Sequence, residues 1–290
     1  MDSIATANEE AIGAWDGVLY DRFVEFRDII VSALTMVSED ALRLYPPPPG
    51  ARVLDIGCGF GDTTQQLAEL VGPEGSAVGM DSSARFIETA EQEAADGGAE
   101  NVSFLVGDAQ VVELPGPFDY VFSRMGTMFI ANPVAALRNA RGSMQPGARL
   151  VICVWRRKLE NVVMYETEQA VEEWLEEDPD ADELTCGPGP FAQANADTVS
   201  GQLLAAGFED VALHRVDYDM KFGDDLQQGI DYICGLGPAA EAIRLSGDQG
   251  KRERPRVEAA VREILERYVR EDGSVAGAMT CWIVTGTAAG

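Results

Sequence analysis

From residue 8 to residue 44 the apolar side chains Trp15, Leu19, Phe23, Phe26 and Ile30 recur every three or four positions. That spacing gathers them on one side of a helix and predicts a helical N-terminal segment. The run PPPPG at residues 46–50 ends it, since proline cannot continue a helix. Short β-rich runs then alternate with helical patterns. RVLDIG, SAVGMD, NVSFLVGD, FDYVFSRM and ARLVICVW read as strands; DTTQQLAELV, SARFIETAEQEAA and NPVAALRNARGSM between them read as helices. The rhythm predicts a mostly parallel α/β sheet with helices on both faces.

It breaks after Trp155. Residues 156–195 intervene before the helix TVSGQLLAAGF, and they carry an acidic helix over residues 166–177 and the turn GPGPF at residues 187–191. After the strand DVALHRVDYDM a second insertion, residues 222–271, is largely helical in pattern, and AMTCWIVTGT supplies the seventh strand. The expected organisation is an N-terminal helical lid over residues 1–48 and a core over residues 49–290, with lid insertions at 156–195 and 222–271.

Composition adds exclusions. Among 290 residues, 49 Asp and Glu oppose 22 Lys and Arg, a net charge of -27, and Lys158, Lys221 and Lys251 are the only lysines. Such a chain repels nucleic acid and anionic membrane surfaces. The five cysteines are scattered without a C-x-x-C or a histidine pair, so neither a metal site nor a disulfide framework is expected. With no apolar leader and no long apolar run, the chain reads as cytoplasmic and not membrane-spanning.

The candidate chemistry lies in VLDIGCGFGDTT, residues 53–64. A dinucleotide loop wants G-x-G-x-x-G, but Gly57, Gly59 and Gly61 give G-x-G-x-G with Asp62 where the last glycine would fall. Asp55 precedes the turn and Asp62 follows it, so a ligand seated here should carry positive charge or at least no phosphate. S-adenosylmethionine meets that description. Its carboxylate could use the free N–H groups at the helix start. Asp81, about 20 residues on at a strand end, is placed to accept from both ribose hydroxyls. Asp108, at the end of the third strand, is placed to accept from the adenine amino group while the backbone of Ala109 or Gln110 meets the ring. Cys58 reads as a small filler of the turn that contributes its backbone.

These motifs resemble the class I S-adenosylmethionine-dependent methyltransferases: VLDIGCGFG the family's first motif, GMDSS its acidic second-strand end, and GDAQVVELP with FDYVFSR its third and fourth, over residues 51–155. RMGTMFIANPVAALRNARGSMQPGARLVICVW and GPGPF resemble bacterial small-molecule enzymes of the ubiquinone and menaquinone type. The resemblance implies a Rossmann-like sheet of seven strands, the last antiparallel. It also implies a cofactor seat of Asp55, Gly57, Cys58, Gly59, Asp81, Ser82, Asp108, Ala109 and Arg124, and methyl transfer to a small organic metabolite through O, N, S or C.

Ligands of open α/β sheets lie beyond the carboxyl ends of the strands. Met125, Trp155 and Arg156 follow strands there, and with Tyr165 and Phe191 they are the candidate acceptor-binding residues. Arg124 is expected to bind a carboxylate or to pair with an acid such as Asp119. Trp15, Tyr20, Phe23, Met164, Trp174 and Tyr232 are available to roof an apolar pocket. For a base, the single histidine His214, Tyr20 and Tyr165 are candidates, although displacement at a sulfonium can proceed without one. Two other readings are open on the residues alone: a cofactor-binding sensor or assembly protein without turnover, and a nicotinamide oxidoreductase, which Asp62 disfavours. The sequence leaves the oligomeric state open between monomer and homodimer.

Overall fold

The computed structural model describes residues 8–175 and 188–290. Seven strands form one sheet: β1 (Arg52–Ile56), β2 (Ser76–Asp81), β3 (Val102–Val106), β4 (Phe118–Arg124), β5 (Met144–Trp155), β6 (Phe208–Gly223) and β7 (Val275–Ala288). Their order is β3-β2-β1-β4-β5-β7-β6. Every pairing from β3 across to β5 is parallel, and β7 runs antiparallel to both β5 and β6. Strands flanked by helices on both faces are apolar throughout. Val53, Leu54, Val121, Phe122, Leu150, Val151 and Ile152 on the central strands are accordingly buried, whereas the edge strand β6 alternates. The order reverses direction between β1 and β4, which opens a crevice at the carboxyl end of β1.

The helices are α1 (Glu9–Ala14), α2 (Tyr20–Glu25), α3 (Arg27–Leu44), α4 (Asp62–Val71), α5 (Ala84–Asp96), α6 (Pro133–Gly142), α7 (Val162–Glu172), α8 (Ala196–Ala206), α9 (Leu226–Gly235), α10 (Pro238–Leu245) and α11 (Gly247–Leu265). The second insertion is helical as expected, and α7 packs on α10 and α11. Among the described residues no helix is long and apolar enough to cross a membrane.

Two elements differ from the sequence reading. The N-terminal helix is broken, with a π-helical stretch at Trp15–Leu19 distorted at Gly17 (φ -112°, ψ -112°) and a second break at Phe26. Arg85 Nη1 donates to the carbonyls of Asp16 and Gly17, both at 3.4 Å, and so compensates the first break. At the second, the Phe26 ring packs on the Tyr232 ring and against Gly235, where a Cβ would lie 2.6 Å from the ring. The acidic helix begins at Val162 instead of 166. Asn161 fixes that start: its Nδ2 donates to the Arg156 and Arg157 carbonyls and its Oδ1 accepts from Thr280 N at 2.9 Å. α7 ends at Glu172, short of the expected end, and residues 176–177 lie outside the described residues.

Candidate functional site

The glycine turn is set by backbone geometry. Gly57, Gly59 and Gly61 have φ of 71°, 54° and 77°, a region that side chains disfavour. A Cβ on Gly57 would lie 2.9 Å from Gly126 Cα, and one on Gly61 the same distance from Ala90 Cβ. Those two glycines permit close packing. Gly59 is different, because its Cβ would meet nothing nearer than Phe86 at 3.9 Å and the residue lines a cavity. Glycine there leaves clearance for a ligand. Gly57 N and Cys58 N both donate to Met80 O, at 2.8 and 3.0 Å, which locks the turn onto the end of β2. Cys58 lines the cavity too, and burial pushes its thiol well above the usual range, so it is no thiolate nucleophile.

The acids divide into three roles. Asp55, 1% exposed, does not line the cavity: it lies beneath the turn and accepts from Thr64 Oγ1 at 2.8 Å. The sequence placed it at the ligand; the structure makes it a brace, and burial pushes its carboxyl up to about 7. Asp62 and Arg124 line the cavity and pair at 2.7 Å, so the arginine's charge is already answered. Asp119, the partner offered by the sequence, lies at the opposite end of β4 and accepts from Arg52 N.

Asp81 faces the cavity from the end of β2, and Ser82 follows it there. Its two oxygens accept from Gly59 N and Ser83 N, each at 3.0 Å. The Ser82 backbone also reaches this carboxylate, and the acceptor capacity left over faces the cavity, where a vicinal diol could donate to it. Burial is the main cause of its raised pKa.

Asp108 and Ala109 also line the cavity. The Asp108 carboxylate accepts from Gln110 N at 2.9 Å, from Gln110 Nε2, and from Asn8 Nδ2 at 3.3 Å. The Gln110 N–H, offered to adenine by the sequence reading, is therefore engaged by Asp108. The Asn8 contact is the longest of these, and is the one a ligand's amino group could replace. Asn8 had no signal in the sequence, and neither had Asp16, whose Oδ1 accepts from Ser83 Oγ at 2.7 Å and Arg85 N at 3.0 Å. Both hold the N-terminal segment against the seat across more than 60 residues of chain.

The cavity, about 1900 Å³, runs from the turn to helices α7, α9, α10 and α11. Met125, Trp155 and Phe191 line it, and Met125 does so with φ 58°, an uncommon conformation for a side chain. Trp15, Phe23, Met164 and Tyr232 line it too. Arg156 does not. Successive strand residues face opposite sides, so with Trp155 turned inward the Arg156 guanidinium lies 4.2 Å from the Trp282 ring centroid and pairs with Glu160. Tyr165 is also outside the lining; Met164, Glu168 and Glu172, spaced by four, are the face of α7 that the cavity meets. Trp174 is 46% exposed and does not roof it.

None of the three candidate bases reaches the cavity. Tyr20 shares a hydrogen bond with Thr89 Oγ1 at 2.7 Å and packs on Phe86, and His214 is exposed on edge strand β6. Sequence reasoning missed Lys158 and Glu168, which line the cavity and pair with each other. Their signal was available: Glu168 stands one helical turn beyond Met164, and Lys158 three residues beyond Trp155.

Gly59's clearance, the cavity-facing carboxylate of Asp81 and an arginine already neutralised by Asp62 fit S-adenosylmethionine and fit a pyrophosphate poorly. A family model described as "Methyltransferase domain" matches residues 48–206. The chain is 36% identical over 133 residues to the aklanonic acid methyltransferase DauC of Streptomyces sp. (strain C5), covering 45% of this chain and 57% of that protein. It is 32% identical over 117 residues to the demethylmenaquinone methyltransferase of Geobacillus stearothermophilus, covering 40% and 50% respectively. It thus spans about half the length of the curated relatives it matches. The solved structure of YcgJ from Bacillus subtilis superposes with a TM-score of 0.54 at 16% identity, covering 89% of this chain and 99% of that one, a likeness of fold alone. With more than half of its length matched by the model and the motif-bearing strand ends facing one cavity, this chain belongs to the methyltransferase-domain family.

Proposed function

We propose that the protein transfers the methyl group of S-adenosylmethionine to a small organic acceptor bound in the same cavity. The observation that carries this reading is the continuity of one cavity from a glycine turn flanked by Asp62 and Asp81 to a chamber lined by Trp155, Phe191 and Met164. The cofactor supplies an activated methyl on a sulfonium, and the chain's residues do the rest. Gly59 gives backbone clearance, Asp81 accepts from the ribose hydroxyls, and Asp108 accepts from the adenine amino group. The N-terminus of α4, which has no side-chain cap, faces the carboxylate. Asp81 favours positive charge over phosphate, and the Asp62–Arg124 pair leaves no net positive charge beside the turn to hold one.

Trp155, Met125 and Phe191 orient the acceptor, while the N-terminal segment and the helices around α7 and α10 close the chamber and exclude water. Alignment in a dry site contributes about 7–11 kcal/mol to such a displacement. A charge of -27 keeps the protein from nucleic acid and anionic membranes and suits an enzyme of small-molecule metabolism in the cytoplasm.

Incubation with methyl-labelled S-adenosylmethionine and a metabolite extract is expected to give a labelled low-molecular-weight product with the wild type and far less with Asp81→Ala. Tight cofactor binding with no labelled product from any extract would contradict turnover and leave a binding protein.

A further inference from the structure

We propose that Lys158 and Glu168 are the polar anchor of the acceptor, and that the acceptor is a hydroxylated ring, a phenol or enol, methylated on oxygen. The inference rests on the proposed methyl-transfer reading and names the acceptor class within it.

Lys158 stands three residues beyond the end of β5, and Glu168 lies on the cavity face of α7. The Lys158 ammonium donates to both Glu168 oxygens, at 2.8 and 2.6 Å. Glu168 is 8% exposed. Trp155, Phe191 and Met164 share the cavity with the pair, Glu172 follows one helical turn beyond Glu168, and the ammonium is 5.9 Å from the Phe191 ring centroid. Several other ion pairs, such as Lys221–Asp224 and Lys251–Asp248, are exposed and join neighbours three residues apart. This one joins two segments across a cavity wall. The Lys158 side chain stays 37% exposed and that of Glu168 11%, so the pair gains little stability from its charges, and its placement on the cavity wall points to recognition.

The pair offers one acceptor and one donor side by side. A carboxylate ligand would take Lys158 and leave Glu168 charged and unpaired, and an ammonium ligand would do the reverse. A hydroxyl satisfies both, donating to Glu168 and accepting from Lys158. The Trp155 and Phe191 rings, 6.5 Å apart and tilted by 52°, offer the flat body of a ring its apolar contact. In the transfer Glu168 takes the hydroxyl proton as the oxygen lone pair bonds the methyl carbon. The carbon–sulfur pair stays on sulfur, giving a neutral thioether, and Lys158 stabilises the oxygen as it loses its proton. Glu168 then returns its proton to water.

The test uses the full chain loaded with S-adenosylhomocysteine, titrated by calorimetry with 1-naphthol and with its isostere 1-fluoronaphthalene, which lacks the hydroxyl. The wild type is expected to prefer 1-naphthol at least about tenfold. Lys158→Met and Glu168→Gln are expected to erode that preference while binding 1-fluoronaphthalene within about twofold of wild type, and Lys158→Arg to retain it in part. A merely structural role would weaken both probes alike. No preference for 1-naphthol in the wild type, an undiminished preference in both variants, or tighter binding of 1-naphthoate would overturn the inference. S-adenosylhomocysteine binding in the same samples separates the two readings. Its absence from the wild type overturns the cofactor assignment, and its presence without a naphthol preference overturns the anchor alone.

Discussion

Asp81→Ala is expected to weaken S-adenosylhomocysteine binding by about 100-fold. Each charge-assisted hydrogen bond contributes about 1.5–3 kcal/mol, and the cavity-facing Asp81 carboxylate is expected to accept from both hydroxyls of the ribose diol. The lower end of that range, taken twice, is about 3 kcal/mol, which corresponds to roughly a hundredfold in affinity. The substitution also removes the acceptors of Gly59 N and Ser83 N. Asp81→Asn serves as the control, because it keeps one acceptor oxygen and the side-chain volume, and an intermediate loss is expected from it. Calorimetric titration of the three proteins checks the order. Undiminished binding in Asp81→Ala would remove the ribose assignment.

The second large effect is on stability and depends on pH. Asp55 has its carboxyl raised by burial from the ordinary 3.8 to about 7. A carboxyl raised on folding favours the folded state fully below the unfolded value, and that advantage fades as pH rises through the folded value. Between pH 4 and pH 8 the wild type therefore loses stability relative to Asp55→Asn, which can still accept from Thr64 but has nothing to ionise. The interval from 3.8 to about 7 corresponds to about 4 kcal/mol. Denaturant melts of both proteins at several pH values read the difference directly. It is expected to widen in favour of Asp55→Asn toward high pH, and parallel pH profiles would contradict a carboxyl raised by burial.

Much of the sheet could be read from the sequence because β1, β2, β4 and β5 are apolar runs punctuated by glycine and proline, a local pattern. The turn was legible for the same reason, and so was the place of Asp81 at the cavity, because the chain distance from turn to second strand end is nearly fixed in such folds. What failed was phase and distance. Trp155 and Arg156 were both aimed at the site, although strand parity admits only one of two successive residues. The face of α7 that meets the cavity is set by Met164 and Glu168 and leaves Tyr165 outside, a rotation that the neighbouring α10 and α11 decide. Asp55 was assigned to the ligand by its charge, but its position within β1 buries it beneath the turn.

The N-terminal segment illustrates the remaining limit. Its apolar spacing correctly indicates helix, yet the breaks at Gly17 and Phe26 answer to Arg85, Gly235 and Tyr232, all distant in sequence. The contacts of Asn8 with Asp108 and of Asp16 with Ser83 are likewise pairings that only the folded chain creates. A helix propensity carries no information about them.

Acidic groups around the glycine turn are expected to accept a phosphate-free nucleoside and refuse a pyrophosphate. Side-by-side calorimetry of the wild type with S-adenosylhomocysteine and with NADH tests this most directly. Binding of S-adenosylhomocysteine with no measurable heat from NADH is the expected result; binding of NADH in its place would contradict the account.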